Sequence, residues 1–256
     1  MKRFSLLYIL LLMLACFDLK GEDNSHVQLL IKFPTRNRYV GFFEALDAYY
    51  QKLSNRVSYH FVVSCDEDDY VMNSEMAIEK LKTYPHLSYY FGQNKSKIEA
   101  INADMGNHLN FDIVLLASDD MIPIVDGYDE VIVNAMKEHF PDTDGVLHFN
   151  DGDRGSDLNT LSILGKAYYN RFGYLYYPGY KSVFCDDEFM AVSKQLNKVV
   201  YNPMVIIEHR HFSNGKSFWD NLYVRNQIYW NHDKDLFHER SQINFGLNIQ
   251  KEEAPQ

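Results

Sequence analysis

Short apolar runs alternate with helical stretches along the first half of this chain, and most of the runs are closed by a polar or charged cluster. Val27–Phe33 ends at Pro34 and reads as a buried strand. Gly41–Leu53 places Phe42, Phe43, Leu46, Tyr49, Tyr50 and Leu53 at helical spacing. Val57–Ser64 reads as a second strand and runs into Cys65-Asp66-Glu67-Asp68-Asp69. Met72–Leu81 reads as a helix, Leu87–Phe91 as a third strand and Ser96–Met105 as a helix. Ile113–Ala117 is wholly apolar and leads straight into Ser118-Asp119-Asp120. This alternation predicts βαβ units, hence an α/β fold with a mostly parallel central sheet and helices on both faces. Ligands of such sheets bind beyond the carboxyl ends of the strands, so the residues just after each strand carry the chemistry.

The pattern loosens after the strand Gly145–Phe149. Leu158–Leu164 reads as a strand, Lys166–Phe172 as the start of a helix and Tyr174–Tyr180 as a loop. Asp187–Leu196 is predicted helical, Val205–His209 a strand, and Ser217–Trp230 a final helix. Residues 1–22 stand apart as a leader: Lys2-Arg3 precedes an apolar run from Phe4 to Phe17, the form of a signal sequence. That run is short of the ~20 residues a spanning helix needs. Leu12 to Cys16 resembles a lipobox, so lipoprotein export, a weak membrane anchor and a start site placed too early all fit. A cytoplasmic or membrane-associated domain is the expectation, with export as the alternative. One domain is expected over 23–245, followed by a polar tail over 246–256.

A formal net charge of −10 argues against the concentrated positive field of a nucleic-acid-binding surface. An anionic ligand would then need a local basic cluster or a metal. Cys65 and Cys185 lie far apart, with no zinc-type spacing and no disulfide framework.

Polar clusters follow several strands. Pro34-Thr35-Arg36-Asn37-Arg38 offers guanidinium groups that can fork onto phosphate or stack on a base. Asp66, nearest the end of the second strand, can accept bonds from a ribose or base. Ser96 can cap a helix, with Lys97 adding charge. Asp119 and Asp120 form the sharpest feature, because adjacent carboxylates after a buried strand repel unless a cation joins them. A divalent ion shared with diphosphate oxygens relieves that repulsion and neutralises a departing diphosphate. Phe184-Cys185-Asp186-Asp187-Glu188-Phe189 opens a helix and offers a carboxylate base for an acceptor hydroxyl. His209 and His211 follow a strand, and either can serve as a further metal ligand.

In order, Pro34-Thr35-Arg36-Asn37-Arg38, Asp66, Lys95-Ser96-Lys97-x-x-Ala100-x-Asn102, Ser118-Asp119-Asp120 and Asp186-Asp187-Glu188-Phe189 resemble the family 2 glycosyltransferases. The resemblance spans about residues 27 to 212. It implies the GT-A (Rossmann-like) fold of nucleotide-diphospho-sugar transferases and an inverting transfer from a nucleotide-sugar donor to a glycan, lipid or protein acceptor. It implies that Pro34, Thr35 and Arg36 hold the nucleotide and that Asp66 meets the base or ribose. Lys97 would approach the phosphates, Asp119 the ribose and metal, and Asp120 would bind Mn²⁺ or Mg²⁺. The family's Glu-Asp pair falls on Cys185-Asp186, which makes Asp186 the expected base and Glu188 the second choice. The Gln-x-x-Arg-Trp motif of the processive relatives is missing, so a non-processive enzyme is expected. Two other classes fit the residues alone: a metal-dependent phosphoesterase or nucleotidyltransferase, and a non-catalytic sugar-nucleotide or glycan-binding module.

Overall fold

The computed structural model describes residues 24–211, 215–216, 224–225 and 227–247. Strand β1 (Asn24–Pro34) leads through helix α1 (Tyr39–Gln51) to β2 (Val57–Asp66). Helix α2 (Glu75–Leu81), β3 (Leu87–Gly92), α3 (Lys97–Asn102) and β4 (Ile113–Leu116) follow. Next come β5 (Met121–Pro123), α4 (Tyr128–His139), β6 (Val146–Phe149), β7 (Ile163–Gly165) and α5 (Lys166–Phe172). Helix α6 (Cys185–Gln195), β8 (Val199–Asn202), β9 (Ile207–His209) and α7 (Trp230–Gln242) complete the described elements.

The main sheet has the order β3-β2-β1-β4-β7-β6-β8. β1 pairs in parallel with β2 and β4, β2 with β3, and β6 with β8. Only β7 among these strands runs against its neighbours, antiparallel to both β4 and β6. The carboxyl ends of β1, β2, β4 and β6 therefore share one edge, as the alternating pattern predicts.

Strand β1 shows why the runs are so apolar. Leu29, Ile31 and Phe33 face a core containing Phe42 and Leu46 of α1 and Ile132 and Met136 of α4. Leu30 points to the opposite core, with Ile98 and Ile101 of α3. A sheet covered on both faces needs apolar residues at both parities of the strand. Lys32 breaks that run on the α3 side. Its ammonium donates to Ser64, whose hydroxyl donates to the Asp104 carboxylate. Burial pushes Lys32 down to about 8, against the pull of Asp104.

Gly165 marks a close approach of β7 to the backbone at Thr143. A β-carbon there would lie 2.1 Å from the Thr143 carbonyl oxygen. A separate ribbon pairs β5 antiparallel with β9, matching Met121 to His209.

The structure adds β5, α4 and β8, over which the sequence reading gave no element, and corrects two further assignments. The strand expected over Leu158–Leu164 is confined to Ile163–Gly165. Helix α7 occupies Trp230–Gln242, where sequence periodicity gave no element. It has no apolar stripe, and its one fully buried side chain is the carboxylate of Asp233. That carboxylate accepts the backbone N–H groups of Lys181, Ser182 and Val183 at 2.7–2.9 Å. A helix anchored by a buried acid is invisible to hydrophobic periodicity. The helix expected over Ser217–Trp230 lies mostly outside the described residues, as do the leader and nearly all of the polar tail. No helix among the described residues is long and apolar enough to cross a membrane.

Candidate functional site

The carboxyl edge of the sheet opens into a cleft of about 570 Å³, a size typical of small-molecule sites. β1 delivers Pro34, Thr35 and Arg36 to it, and β2 delivers Asp66. Lys97, the first residue of α3, also lines it, next to its cap Ser96. β4 runs on into Ser118, Asp119 and Asp120, which form its floor together with His209 and His211.

At one end, the Arg36 guanidinium donates to Asp66 at 2.6 Å and grips both oxygens of Asp68. Asp69 ties the two loops together by accepting the N–H of Asn37 at 2.7 Å and of Val71 at 3.1 Å. Thr35 and Asp66 are buried, and the Thr35 Oγ1 and Asp66 Oδ1 atoms have no hydrogen-bond partner among the described residues. Buried polar atoms are nearly always paired. Both residues line the cleft, where a ligand can supply the missing partners.

The adjacent carboxylates are separated by their partners. Arg38 donates to Asp119 at 2.6 Å. Ser118 donates to Asp120 at 2.5 Å, and the other Asp120 oxygen faces His209 Nε2 at 3.8 Å. The β5–β9 ribbon brings these distant residues together, reinforced by the Arg210 N–H donating to the Asp120 carbonyl at 2.6 Å. On its other side His209 Nδ1 lies 3.4 Å from Asp151. Burial favours a neutral imidazole, but the flanking Asp120 and Asp151 carboxylates raise His209 to about 9. Burial likewise pushes both carboxyls up, yet the contacts with His209 hold them below the usual carboxylate range. The ring of His211 sits 5.3 Å from that of His209. Burial and the His209 charge lower its pKa.

Asp151, Asp153 and His209 offer oxygen and nitrogen atoms within 4.8 Å of one another. Carboxylate and imidazole donors suit Mn²⁺ or Mg²⁺ rather than a thiophilic metal. Hydrogen bonds from Asp153, Arg154, Gly155 and Thr160 already occupy the Asp151 oxygens, so Asp153, His209 and the facing Asp120 are the donors that fit the ion the sequence implied.

On the opposite wall, Phe184 adopts a left-handed conformation with φ +60°, turning the chain abruptly into α6. Such a conformation is strained for a bulky residue. The turn sets Asp186 and Asp187 in the cleft at the first turn of the helix. Burial, followed by the neighbouring Asp186, raises the Asp187 pKa. Cys185 is buried, and burial pushes its thiol well above its usual value.

Glu188, the second choice for a base, is not brought to the cleft. It is buried behind α6, where the Arg240 guanidinium forks onto both of its oxygens at 2.8–3.0 Å. The Tyr180 hydroxyl donates to it at 2.8 Å. One residue after Asp187, the helix has turned its side chain toward α7. Two contributors escaped the sequence reading as site residues, Asp151 and Asp153, while Arg38, one of the two arginines singled out after the first strand, pairs with Asp119 rather than standing open to a phosphate. Asn150-Asp151-Gly152-Asp153 follows β6 at the same sheet edge, so attention to every strand end would have found both acids.

No protein-family model matches this chain, and no curated protein is similar to it in sequence. Its structure is similar to solved ones. The mannosyltransferase PcManGT from Pyrobaculum calidifontis, solved in complex with GDP-Man and Mn²⁺, matches with a TM-score of 0.56 and 16% identity. That match covers 72% of this chain and 57% of the mannosyltransferase. TarS from S. aureus matches with a TM-score of 0.53 and 16% identity, over 71% of this chain and 36% of TarS. The chain thus spans less than two thirds of either relative. The fold is the GT-A fold of nucleotide-sugar transferases, an α/β fold with a mostly parallel central sheet.

Proposed function

We propose that this protein is a metal-dependent glycosyltransferase that moves a sugar from a nucleoside-diphosphate donor to an acceptor hydroxyl, with inversion and one sugar at a time. The observation that carries this reading is the pairing of two features in one cleft. Buried atoms of Thr35 and Asp66 with no partner among the described residues lie at one end, and Asp120 faces His209 at the other. The first suits a nucleoside and the second suits a divalent ion at its diphosphate. The GT-A fold supports the same assignment, and the mannosyltransferase of that fold was solved with a nucleotide sugar and Mn²⁺.

In this reading Thr35, Arg36 and Asp66 hold the nucleoside, and Asp119, fixed by Arg38, reaches the ribose. Asp120 and His209 hold Mn²⁺ or Mg²⁺, with His211 beside them. When bound, the ion stabilises negative charge on the leaving diphosphate. Lys97, at the same wall, adds positive charge near those phosphates. Asp186 takes the proton from the acceptor hydroxyl as its oxygen attacks the anomeric carbon. The bond from that carbon to the diphosphate oxygen breaks on the opposite face, which inverts the centre. The acceptor is a glycan, lipid or protein. Nucleotide sugars are made in the cytoplasm, so the reading places the domain on that side, with any membrane association made through the N-terminus.

Incubation with a panel of nucleotide sugars and Mn²⁺, read by mass spectrometry, tests the assignment. A transferase releases the nucleoside diphosphate, and Asp186→Asn abolishes that release in a folded protein. Release of inorganic phosphate, or transfer of a nucleoside monophosphate, would instead identify a phosphoesterase or nucleotidyltransferase.

A further inference from the structure

We propose that Asp151 is a positioning residue of the metal centre, holding the His209 imidazole by Nδ1 so that Nε2 is presented toward Asp120 and the ion. The inference rests on the metal-dependent reading above.

Asp151 follows β6 at the carboxyl edge, and its side chain is only 2% exposed. One oxygen accepts the backbone N–H groups of Asp153, Arg154 and Gly155 at 2.9, 2.7 and 3.3 Å. The other accepts the Thr160 hydroxyl at 2.5 Å and faces His209 Nδ1 at 3.4 Å. An ionised carboxylate has about four lone-pair sites, so these donors take up its capacity and leave none for an ion. The backbone repeats the connection, because the His209 N–H donates to the Asp151 carbonyl at 2.8 Å. The two residues are thus clamped together by main chain and side chain.

A histidine that binds a metal offers it one nitrogen, and the hydrogen bond made by the other fixes the tautomer and the ring plane. With Nδ1 engaged by Asp151, Nε2 is the nitrogen that faces Asp120 at 3.8 Å. That gap is too long for a hydrogen bond. It suits two donors of a single ion, whose bonds run to about 2.0–2.2 Å each. Asp151 therefore acts through His209 and not on the metal.

The test is the Mn²⁺ affinity of the 256-residue chain without nucleotide, measured by electron paramagnetic resonance of the free ion. Wild type, Asp120→Ala, His209→Ala, Asp151→Asn and the Asp151→Asn/His209→Ala double variant are compared. Asp151→Asn is expected to weaken Mn²⁺ binding about 10- to 100-fold, and to weaken it no further once His209 is alanine. An equal loss in the His209→Ala background would make Asp151 a direct ligand and overturn the proposal, as would unchanged affinity in the single variant. If circular dichroism shows Asp151→Asn unfolded, Thr160→Val takes its place, since it removes one brace from the same oxygen. Its smaller loss must also vanish in the His209→Ala background, and a loss that persists there overturns the proposal. An Mn²⁺ affinity that Asp120→Ala leaves unchanged would sink the metal-dependent reading itself and this inference with it. Loss with Asp120→Ala but none with Asp151→Asn would sink only the inference.

Discussion

Replacing Arg240 by methionine should destabilise the protein severely, whereas replacing Glu188 by glutamine should leave its chemistry intact. Glu188 is 4% exposed and receives three N–H contacts from Arg240 at 2.8–3.0 Å. The same guanidinium donates to the Phe245 carbonyl at 2.8 Å and stacks 3.4 Å above the Tyr177 ring. Arg240→Met strands a buried carboxylate that keeps, among the described residues, only the Tyr180 hydroxyl. Breaking a buried pair by removing one partner costs about 3–5 kcal/mol, a large part of the ~5–15 kcal/mol that holds a domain together. At about 2–4 °C per kcal/mol for a chain of this size, the melting temperature should fall by roughly 10 °C. Glu188→Gln keeps the shape and most of the hydrogen bonds, so its loss should be smaller, about 2 kcal/mol. Because Glu188 faces α7 and not the cleft, Glu188→Gln should keep nucleoside diphosphate release within about twofold, while Asp186→Asn loses it by about 100-fold or more. Thermal melts and initial rates on the folded variants give both readouts. Arg240→Met melting within 2 °C of wild type, a margin well below the ~10 °C expected, would refute the energetic argument. Glu188→Gln losing activity as fully as Asp186→Asn would refute the placement of the base.

Further consequences follow from single contacts. Gly165→Ala should cost about 1–3 kcal/mol in urea unfolding, since its new methyl would press on the Thr143 carbonyl. Asp233→Ala should loosen α7 and cost about 3 kcal/mol, because the N–H groups of Lys181, Ser182 and Val183 lose their acceptor. Hydrogen exchange at those amides would rise if the acceptor matters and stay unchanged if it does not. Arg171, followed by Lys198, holds the Asp144 carboxyl down at about 2 despite the upward push of burial. A depressed carboxyl stabilises fully above its unfolded value near 4 and loses that contribution as pH falls through the folded one. Acid melts between about pH 4 and pH 2 should therefore flatten in Asp144→Asn.

Strands β1 to β4 and helices α1 to α3 were legible because each carries its own periodicity, whereas the three-residue β5 is too short to show one. Ile113–Ala117 is apolar at both parities, as a strand buried on two faces must be, and Val27–Phe33 and Val57–Ser64 are apolar at every second position. The nucleotide end of the site was legible for the same reason, since Thr35, Arg36, Asp66 and Asp120 each follow a strand. What escaped depends on partners distant in sequence. Helix α7 is anchored by Asp233 and has no apolar stripe to reveal it. Glu188 and Asp186 lie two positions apart in one acidic run, and only the direction of α6 separates the cleft from the core behind it. Asp151 meets His209 through a pairing 58 residues apart, which no local pattern encodes.

The most direct measurement is thermal stability with a panel of nucleoside diphosphates, with and without Mn²⁺, on wild type and Asp120→Ala. A ligand at about 100 times its dissociation constant stabilises the native state by ~2.7 kcal/mol, or roughly 5–10 °C here. A rise of that size with one nucleotide, dependent on Mn²⁺ and lost in Asp120→Ala, is the predicted result. No rise with any nucleotide, or a rise that Asp120→Ala leaves intact, would contradict it.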